Sequence, residues 1–460
     1  MKTKTKLLPH QEAAVEKLKH LVVGAMYMEM GTGKTRTAAE LCVMRLNQSK
    51  IDHVIWLCPC SVKANLATDL NKHLDGWRGV ITICGIETLS SSVPAILDLL
   101  ELSENKRCCL IVDESNLVKN PFALRSQHIS TIAKNCKYKL ILNGTPIARS
   151  YADLFWQFYI LDPRILGYKS YYSFARNHIE YDAKIPGKIN RILNTQVLTD
   201  KIAPYTYQVK KDECIKLPDK RYHTYWCRMT AYQESIYGEL ADRYLMELDE
   251  MRPETIYRLF GVLQHCISGI EVREHGELGK KGHYLEHREI FDDGENPRLN
   301  LLSRIIKDDI GDDQAVIFCK YTHEIHKISR MLGDAAALFY GELPLKKRQA
   351  SIDRLKVGDA KYLIANKTCG AYGLNLQFCY KMIFYSNDWD YATRIQAEDR
   401  IHRIGQRRDV DIYDIITEYS LDEKIYKCLN RKGRLSDEFK KDMAAKKNMR
   451  EWLFGKDISK

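Results

Sequence analysis

At 460 residues the chain is longer than one hydrophobic core supports, so at least two domains are expected. With 45% hydrophobic and 28% charged residues its composition excludes a disordered or fibrous protein, and a net charge of +11 favours a polyanionic partner without naming one. The 14 cysteines lie scattered, several in apolar runs, with no C-x-x-C pair, which argues against a zinc ribbon and for buried free thiols in a reducing compartment.

No apolar run approaches the roughly 18 residues that cross a bilayer, and Met1–His10 is basic without an apolar stretch behind it, so neither a membrane span nor an export signal is expected. In the first third, Val22–Tyr27, Val54–Leu57, Val80–Cys84, Cys108–Val112 and Tyr138–Leu142 are short β-rich runs with helical patterns between most of them. Fully apolar strands alternating with helices predict a parallel sheet covered on both faces. Tyr151–Tyr207 then reads as aromatic, charged helix, Lys220–Cys227 as a brief strand, and Ala231–Ile270 as helix again. Glu271–Asn296 is polar and glycine-containing and reads as a loop or hinge. A second α/β alternation follows, with strands at Val316–Cys319, Ala337–Tyr340, Tyr362–Ala365, Met382–Tyr385 and Val410–Ile415, before a basic, helix-prone tail at Arg431–Lys460 that lacks a clear core face.

Three stretches carry chemistry. Met28-Glu-Met-Gly-Thr-Gly-Lys-Thr35 follows a predicted strand and opens a helix, the setting in which Gly31, Thr32 and Gly33 let backbone N–H groups approach phosphates. The strict G-x-x-x-x-G-K-[ST] pattern has Met28 at its first place, but Lys34 and Thr35 stand where they would hold the β- and γ-phosphates and Mg²⁺. Cys108–Val112 runs straight into Asp113-Glu114, a carboxylate pair at the C-terminal edge of a parallel strand, where α/β proteins bind ligands. Asp113 suits Mg²⁺ and Glu114 the attacking water. Leu142-Asn-Gly-Thr-Pro-Ile147 ends the next strand in a sharp turn that presents Thr145. Far downstream, Gln396–Gln406 places Gln396, Arg400 and Arg403 at i, i+4 and i+7, which on a helix is one face with two guanidinium groups suited to a phosphate.

The ordered set resembles the superfamily II helicase-like ATPases, and among them the SWI/SNF DNA translocases, from Leu8 to about Leu429. Leu8-Pro-His-Gln11 is similar to the family's adenine-recognition element, Met30–Thr35 to motif I, Trp56–Val62 to Ia, Ile83–Leu89 to Ib, Asp113–Asn116 to II and Leu142–Pro146 to III. Val316–Thr322 resembles motif IV, Gly370–Leu376 motif V and Gln396–Gln406 motif VI, the closing Arg-Ile-Gly-Gln favouring this family over its neighbours. Asp388-Trp389 also fits the family's pattern just upstream.

The resemblance implies an α/β fold of two tandem RecA-like lobes with helical insertions: lobe one over 1–229 with an insertion at about 151–205, a helical insertion and hinge over 230–295, lobe two over 296–430, and the tail over 431–460. It implies ATP and Mg²⁺ as cofactors, Gln11 reading the base, and Gly373 with the loop Gly31–Thr35 in the nucleotide site. Thr35 and Asp113 become metal ligands, and Lys34, Glu114, Gln396, Arg400 and Arg403 catalytic residues. Asn116, Gly144 and Thr145 couple hydrolysis to movement, and Ser61, Thr88, Lys320, Thr322 and Asn375 meet the DNA backbone. The partner implied is double-stranded DNA read with little sequence specificity, and closure of the lobes would carry the arginines onto the γ-phosphate. Asn116 replaces the family's usual histidine and Ser115 its alanine, Ala371 stands where glycine is commoner, and Tyr207-Gln208 precede Lys210-Lys211 where a basic pair is usual. A strand-separating helicase and an ATP-gated DNA clamp with little turnover are the alternatives. Compact size suggests a bacterial or phage origin and a cytoplasmic location, with a nuclear one left open.

Overall fold

The computed structural model describes residues 1–144, 151–181, 189–214, 216–246, 253–275, 284–291, 294–366, 374–389, 391–431, 435–444 and 448–454. Of the sequence-based site residues, Thr145 and Gly373 lie outside these. The chain divides into two compact units between Lys216 and Leu217.

The first unit is built on a six-stranded sheet. Its strands are β1 (Val23–Met28), β2 (His53–Cys58), β3 (Ile81–Gly85), β4 (Cys108–Val112), β5 (Tyr138–Asn143) and β6 (Thr206–Val209), in the spatial order β6-β1-β5-β4-β2-β3. All neighbours are parallel. Both faces of β1 and β4 are buried, and alternation along each strand sorts the side chains. Ala25, Tyr27, Leu110 and Val112 face one core, whereas Met26, Met28, Cys109 and Ile111 face the other. The helix Lys34–Asn47 covers the second face through Ala38, Ala39, Leu41 and Cys42. Helix Asp153–Leu161 puts Leu154, Phe155 and Phe158 into the first core, so the segment after 150 begins as part of the lobe's own packing. Two departures from the sequence reading occur here. A small antiparallel ribbon, Ile179–Tyr181 with Ile189–Ile192, interrupts the helical stretch, and Thr206–Val209 is a strand because β1 offers it a parallel edge.

The second unit holds another all-parallel six-stranded sheet, of β7 (Lys220–Cys227), β8 (Ala315–Phe318), β9 (Ala336–Phe339), β10 (Tyr362–Ala365), β11 (Lys381–Phe384) and β12 (Val410–Thr417), ordered β7-β12-β11-β8-β10-β9. The boundary therefore falls short of residue 229: β7 is paired with β12 along its whole length, from Lys220 opposite Val410 to Cys227 opposite Thr417. Helices Ala231–Met246 and Pro253–Ile267 pack with Leu421–Asn430 around Tyr237, Phe260 and Leu263. The same core takes in Leu435, Phe439, Trp452 and Leu453, so the tail expected to lack a core face is anchored by four buried apolar side chains. The stretch expected as a loop or hinge forms an antiparallel hairpin, Ile270–His275 with Tyr284–Glu289. Burial of Ile270 and Val272 sets it, while Arg273 turns outward to pair with Glu271 at 2.9 Å. Among the described residues no helix is long and apolar enough to cross a membrane.

Candidate nucleotide site

The phosphate loop leaves β1 at Met28 and enters the helix Lys34–Asn47. Gly31 and Gly33 have φ of 81° and 87°, left-handed values that glycine adopts without a Cβ clash. The loop is tied down from three sides. Gln11 Nε2 donates to Thr32 O at 3.0 Å, and His10 Nε2 lies 2.8 Å from the same carbonyl. The Thr32 hydroxyl donates to Glu29 O at 2.7 Å, and the Glu29 carboxylate accepts the Lys211 backbone N–H at 2.7 Å. Tyr207, one of the positions that departs from the family pattern, donates its hydroxyl to His10 O at 2.8 Å and so braces the helix Pro9–Leu18. Gln11, expected as the base reader, thus spends its amide on the loop, with Oε1 accepting from Leu8 N–H at 3.0 Å.

Lys34, first in its helix, donates Nζ to Met28 O at 3.0 Å. A Cβ on Gly144 would come 3.9 Å from that ammonium nitrogen, so the end of β5 lies beside it. Asp113 follows β4, is 8% exposed, and accepts the Glu114 backbone N–H at 2.9 Å. Burial, reinforced by the neighbouring Glu114 carboxylate and opposed by Lys34, raises its pKa to about 7. Glu114 itself has φ 50° and ψ 54°, which turns the chain sharply into Ser115–Val118. A carboxylate pair short of positive charge beside a lysine and two left-handed glycines fits a phosphate chain carrying a divalent cation. The Asn116 Oδ1 atom is buried with no hydrogen-bond partner, whereas Ser115 Oγ donates to Gln157 Oε1 at 2.6 Å.

Ser61 and Thr88 sit at the C-terminal ends of the adjacent strands β2 and β3. They are linked through Cys60, whose N–H donates to Glu87 at 2.8 Å and whose Sγ lies 3.4 Å from Thr88 Oγ1.

In the second unit the expected helix over Gln396–Gln406 stops early: it spans Tyr391–Glu398, and the arginines follow in a turn. Gln396 O accepts from the Arg400 side chain, and the Arg400 N–H bonds Ala397 O at 3.1 Å, a tighter turn; beyond it Arg400 O accepts from Leu376 N–H at 3.0 Å and Ile401 O from Gln406 Nε2 at 3.1 Å, so the helix does not resume. Gly405 closes the turn at φ 102°. Arg400 is buried and donates Nε to Gln396 O at 3.1 Å. Arg403 donates to Leu374 O at 3.4 Å and also to Asn375 Oδ1, joining two residues expected in different roles. Thr322 opens the helix Thr322–Leu332, whose first N–H groups suit an anion. Lys320 turns its ammonium onto Gln264 Oε1 at 2.5 Å and the Trp389 ring at 3.2 Å from its centroid.

Sequence reasoning missed His10 and Glu29, although both adjoin residues it selected. It also missed Arg394, whose buried guanidinium binds Glu398 at 2.7 Å, Asn387 at 2.7 Å and Asp414 at 2.9 Å over the face of Phe384. Burial works against the Glu398 charge, but Arg394 and Lys220 outweigh it and hold that carboxyl below its usual range. Glu398 stands four residues on, at ordinary helical spacing, but Asp414 lies twenty residues away, so only half of the cluster had a local pattern to find.

Residues 77–266 match the SNF2-related domain and residues 297–405 the helicase conserved C-terminal domain. The DNA excision repair protein CSB of Oryza sativa subsp. japonica is 25% identical over 349 residues, covering 72% of this chain and 28% of its own length. The DNA repair protein rhp54 of Schizosaccharomyces pombe is 25% identical over 513 residues, 94% of this chain and 58% of its own. The chain thus spans less than two thirds of these relatives. The solved SWI2/SNF2 ATPase core of Sulfolobus solfataricus in complex with dsDNA is 21% identical, with a TM-score of 0.42 over 98% of this chain and 95% of that one. The carboxylate turn lies within the first matched domain and the arginine turn within the second, so the chain carries an SNF2-related domain followed by a helicase conserved C-terminal domain.

Proposed function

We propose that this chain hydrolyses ATP and uses the cycle to move along double-stranded DNA. The observation that carries the reading is the meeting, at one edge of the first sheet, of a left-handed glycine loop, Lys34, the buried Asp113 and the half-buried Glu114. Lys34 binds the β- and γ-phosphates, and Glu114 orients the attacking water and takes its proton. Thr35 and Asp113 would hold Mg²⁺, which when bound neutralises charge on the phosphate oxygens. Gln11, with Gly31–Thr35 and Gly373, shapes the nucleotide pocket. Arg400 and Arg403 stabilise charge on the transferred phosphoryl group, with Gln396 beside them; arginines in this role are worth ~10³–10⁵ in kcat. Asn116, Gly144 and Thr145 pass the state of that site to the DNA-facing residues. Ser61, Thr88, Lys320, Thr322 and Asn375 contact phosphates, which position the protein without reading bases. Such a substrate places the chain in a DNA-containing compartment, cytoplasmic or nuclear.

The hairpin at Ile270–His275 and Tyr284–Glu289 favours a second reading, in which an exposed β-ribbon splits the duplex. Two assays separate these. A translocase displaces a triplex-forming strand and leaves the duplex closed, whereas a strand-separating enzyme releases single strands from a forked duplex. A clamp with little turnover, suggested by the unpartnered Asn116 oxygen, would release phosphate no faster with DNA than without it.

A further inference from the structure

We propose that the first unit carries a site for unpaired DNA: Phe122, Tyr172 and Tyr181 stack exposed bases while Lys169 and Arg176 hold the phosphates between them. The inference rests on the DNA reading and extends it, since neither the nucleotide site nor the residues assigned to the duplex backbone use this surface.

The three rings come from separate segments. Phe122 lies in the short connection between the turn Ser115–Val118 and the helix Leu124–Asn135. Asn120 Oδ1 accepts the Phe122 N–H at 2.9 Å, and Pro121 between them fixes φ, so the chain turns and carries the ring outward. Tyr172 belongs to the helix Tyr171–His178, whose other face buries Phe174, Ala175 and His178. Tyr181 ends the strand Ile179–Tyr181, and its hydroxyl shares a hydrogen bond with that of Tyr171. Phe122 meets Tyr171 edge-on with centroids 5.9 Å apart, and Tyr172 at 6.0 Å with planes 57° apart. Rings that meet at such angles leave their outer faces open: Phe122 is 57%, Tyr172 72% and Tyr181 43% exposed.

Charge decides what those faces suit. Arg176 stands four residues after Tyr172, on the same side of the helix, and Lys169 three residues before it. Both cations are exposed, and neither pairs with a described carboxylate. The carboxylates nearby are already engaged: Asp153, which acts on Tyr171, pairs with Lys119 at 3.3 Å, and Glu180 accepts from Asn190 at 2.9 Å. Open aromatic faces beside unneutralised cations match a polyanion whose bases are accessible. A duplex keeps its base faces stacked inside and would engage the cations alone, and an acidic protein segment has no need of flat faces. An unpaired strand uses both. Stacking of this kind tolerates any sequence, in keeping with a chain that reads few bases. The consequence is a preference for forks, gaps and bubbles, which present an unpaired strand together with duplex.

The test is fluorescence anisotropy on the full chain without nucleotide, with a labelled oligothymidylate of about 16 nucleotides and a blunt duplex as probes. Phe122→Ala and Tyr172→Ala should each weaken single-strand binding by about 5- to 150-fold, the range for one stacked base, while duplex affinity stays within about twofold and the melting temperature is unchanged. Tyr172→Phe keeps the ring and should bind as the wild type does. Lys169→Gln combined with Arg176→Gln should flatten the log–log salt dependence of single-strand binding by about 1.4, two phosphates at about 0.7 each. Ultraviolet crosslinking of a bromodeoxyuridine-substituted strand should place the adduct on a peptide that contains Phe122 or Tyr172. Wild-type single-strand affinity in the alanine variants would overturn the proposal and leave the patch to a protein partner. Equal losses on duplex and single strand, losses that track melting temperature, a Tyr172→Phe variant as weak as Tyr172→Ala, or an adduct elsewhere would overturn it as well. A wild type that binds neither probe sinks the DNA reading and this inference together, whereas duplex binding without single-strand binding sinks the inference alone.

Discussion

Gly33→Ala is the sharpest probe of how the loop is held. Gly33 sits at φ 87°, where an L-residue costs roughly 1–2 kcal/mol. Its new Cβ would also stand 2.2 Å from Gln11 Nε2, far inside contact distance, so the Gln11 amide must leave Thr32 O. Losing that bond adds about 1 kcal/mol, for a total of about 2–3 kcal/mol against the loop geometry that receives phosphate. If this falls on binding, affinity for a non-hydrolysable ATP analogue drops by about 30- to 150-fold. Titration calorimetry with the magnesium complex of the analogue measures it, with thermal melting as the companion. Gln11→Ala alone should cost about 1 kcal/mol and should soften the effect of Gly33→Ala, since it removes the atom that clashes. Wild-type affinity and melting in Gly33→Ala, or strict additivity with Gln11→Ala, would refute the reasoning.

Other outcomes follow from the same geometry. Because burial and Glu114 raise Asp113 to about 7, the folded nucleotide-free protein binds a proton there that the unfolded chain releases near its ordinary carboxylate pKa. Its contribution to stability is therefore greatest at low pH and is lost as pH rises toward 7; Asp113→Asn should flatten this part of the melting-temperature profile, and an unchanged profile would contradict the shift. Arg394→Met should destabilise by about 3–5 kcal/mol in urea melts, because the buried Asp414 loses its ion-pair partner while Glu398 keeps only Lys220; a change near zero would show that the cluster relaxes or hydrates. Duplex affinity should fall steeply and log-linearly between low and moderate salt, measured by fluorescence anisotropy, with little dependence on sequence; a flat salt response would exclude backbone-directed binding.

Much of the fold was legible because local pattern and tertiary need coincided. Cys108–Val112 and Tyr362–Ala365 are apolar, bounded runs buried along their length, and both emerge with the expected bounds. Lys220–Cys227 was equally plain as a strand, but its sheet was not, since its partner Val410–Thr417 lies far along the chain. The tail hid its core face because Leu435, Phe439, Trp452 and Leu453 are spread among lysines. At the site, the glycine loop and the carboxylate pair could be read because phosphate chemistry demands contiguous residues. The arginine segment had helical spacing, but Arg400 tightens the chain by bonding Ala397 O, and the tertiary bond from Leu376 N–H to Arg400 O keeps the helix from continuing through Arg403.

On the proposed reading, the loop at Lys34 and the carboxylates at Asp113-Glu114 form an ATPase driven by duplex DNA. Steady-state phosphate release with and without double-stranded DNA, for the wild type beside Lys34→Ala, Glu114→Gln and Arg400→Ala, tests it directly. Duplex should stimulate the wild type strongly, and all three variants should lose that turnover. Duplex-stimulated turnover at the wild-type rate in any of them, or a wild type indifferent to DNA, would contradict it.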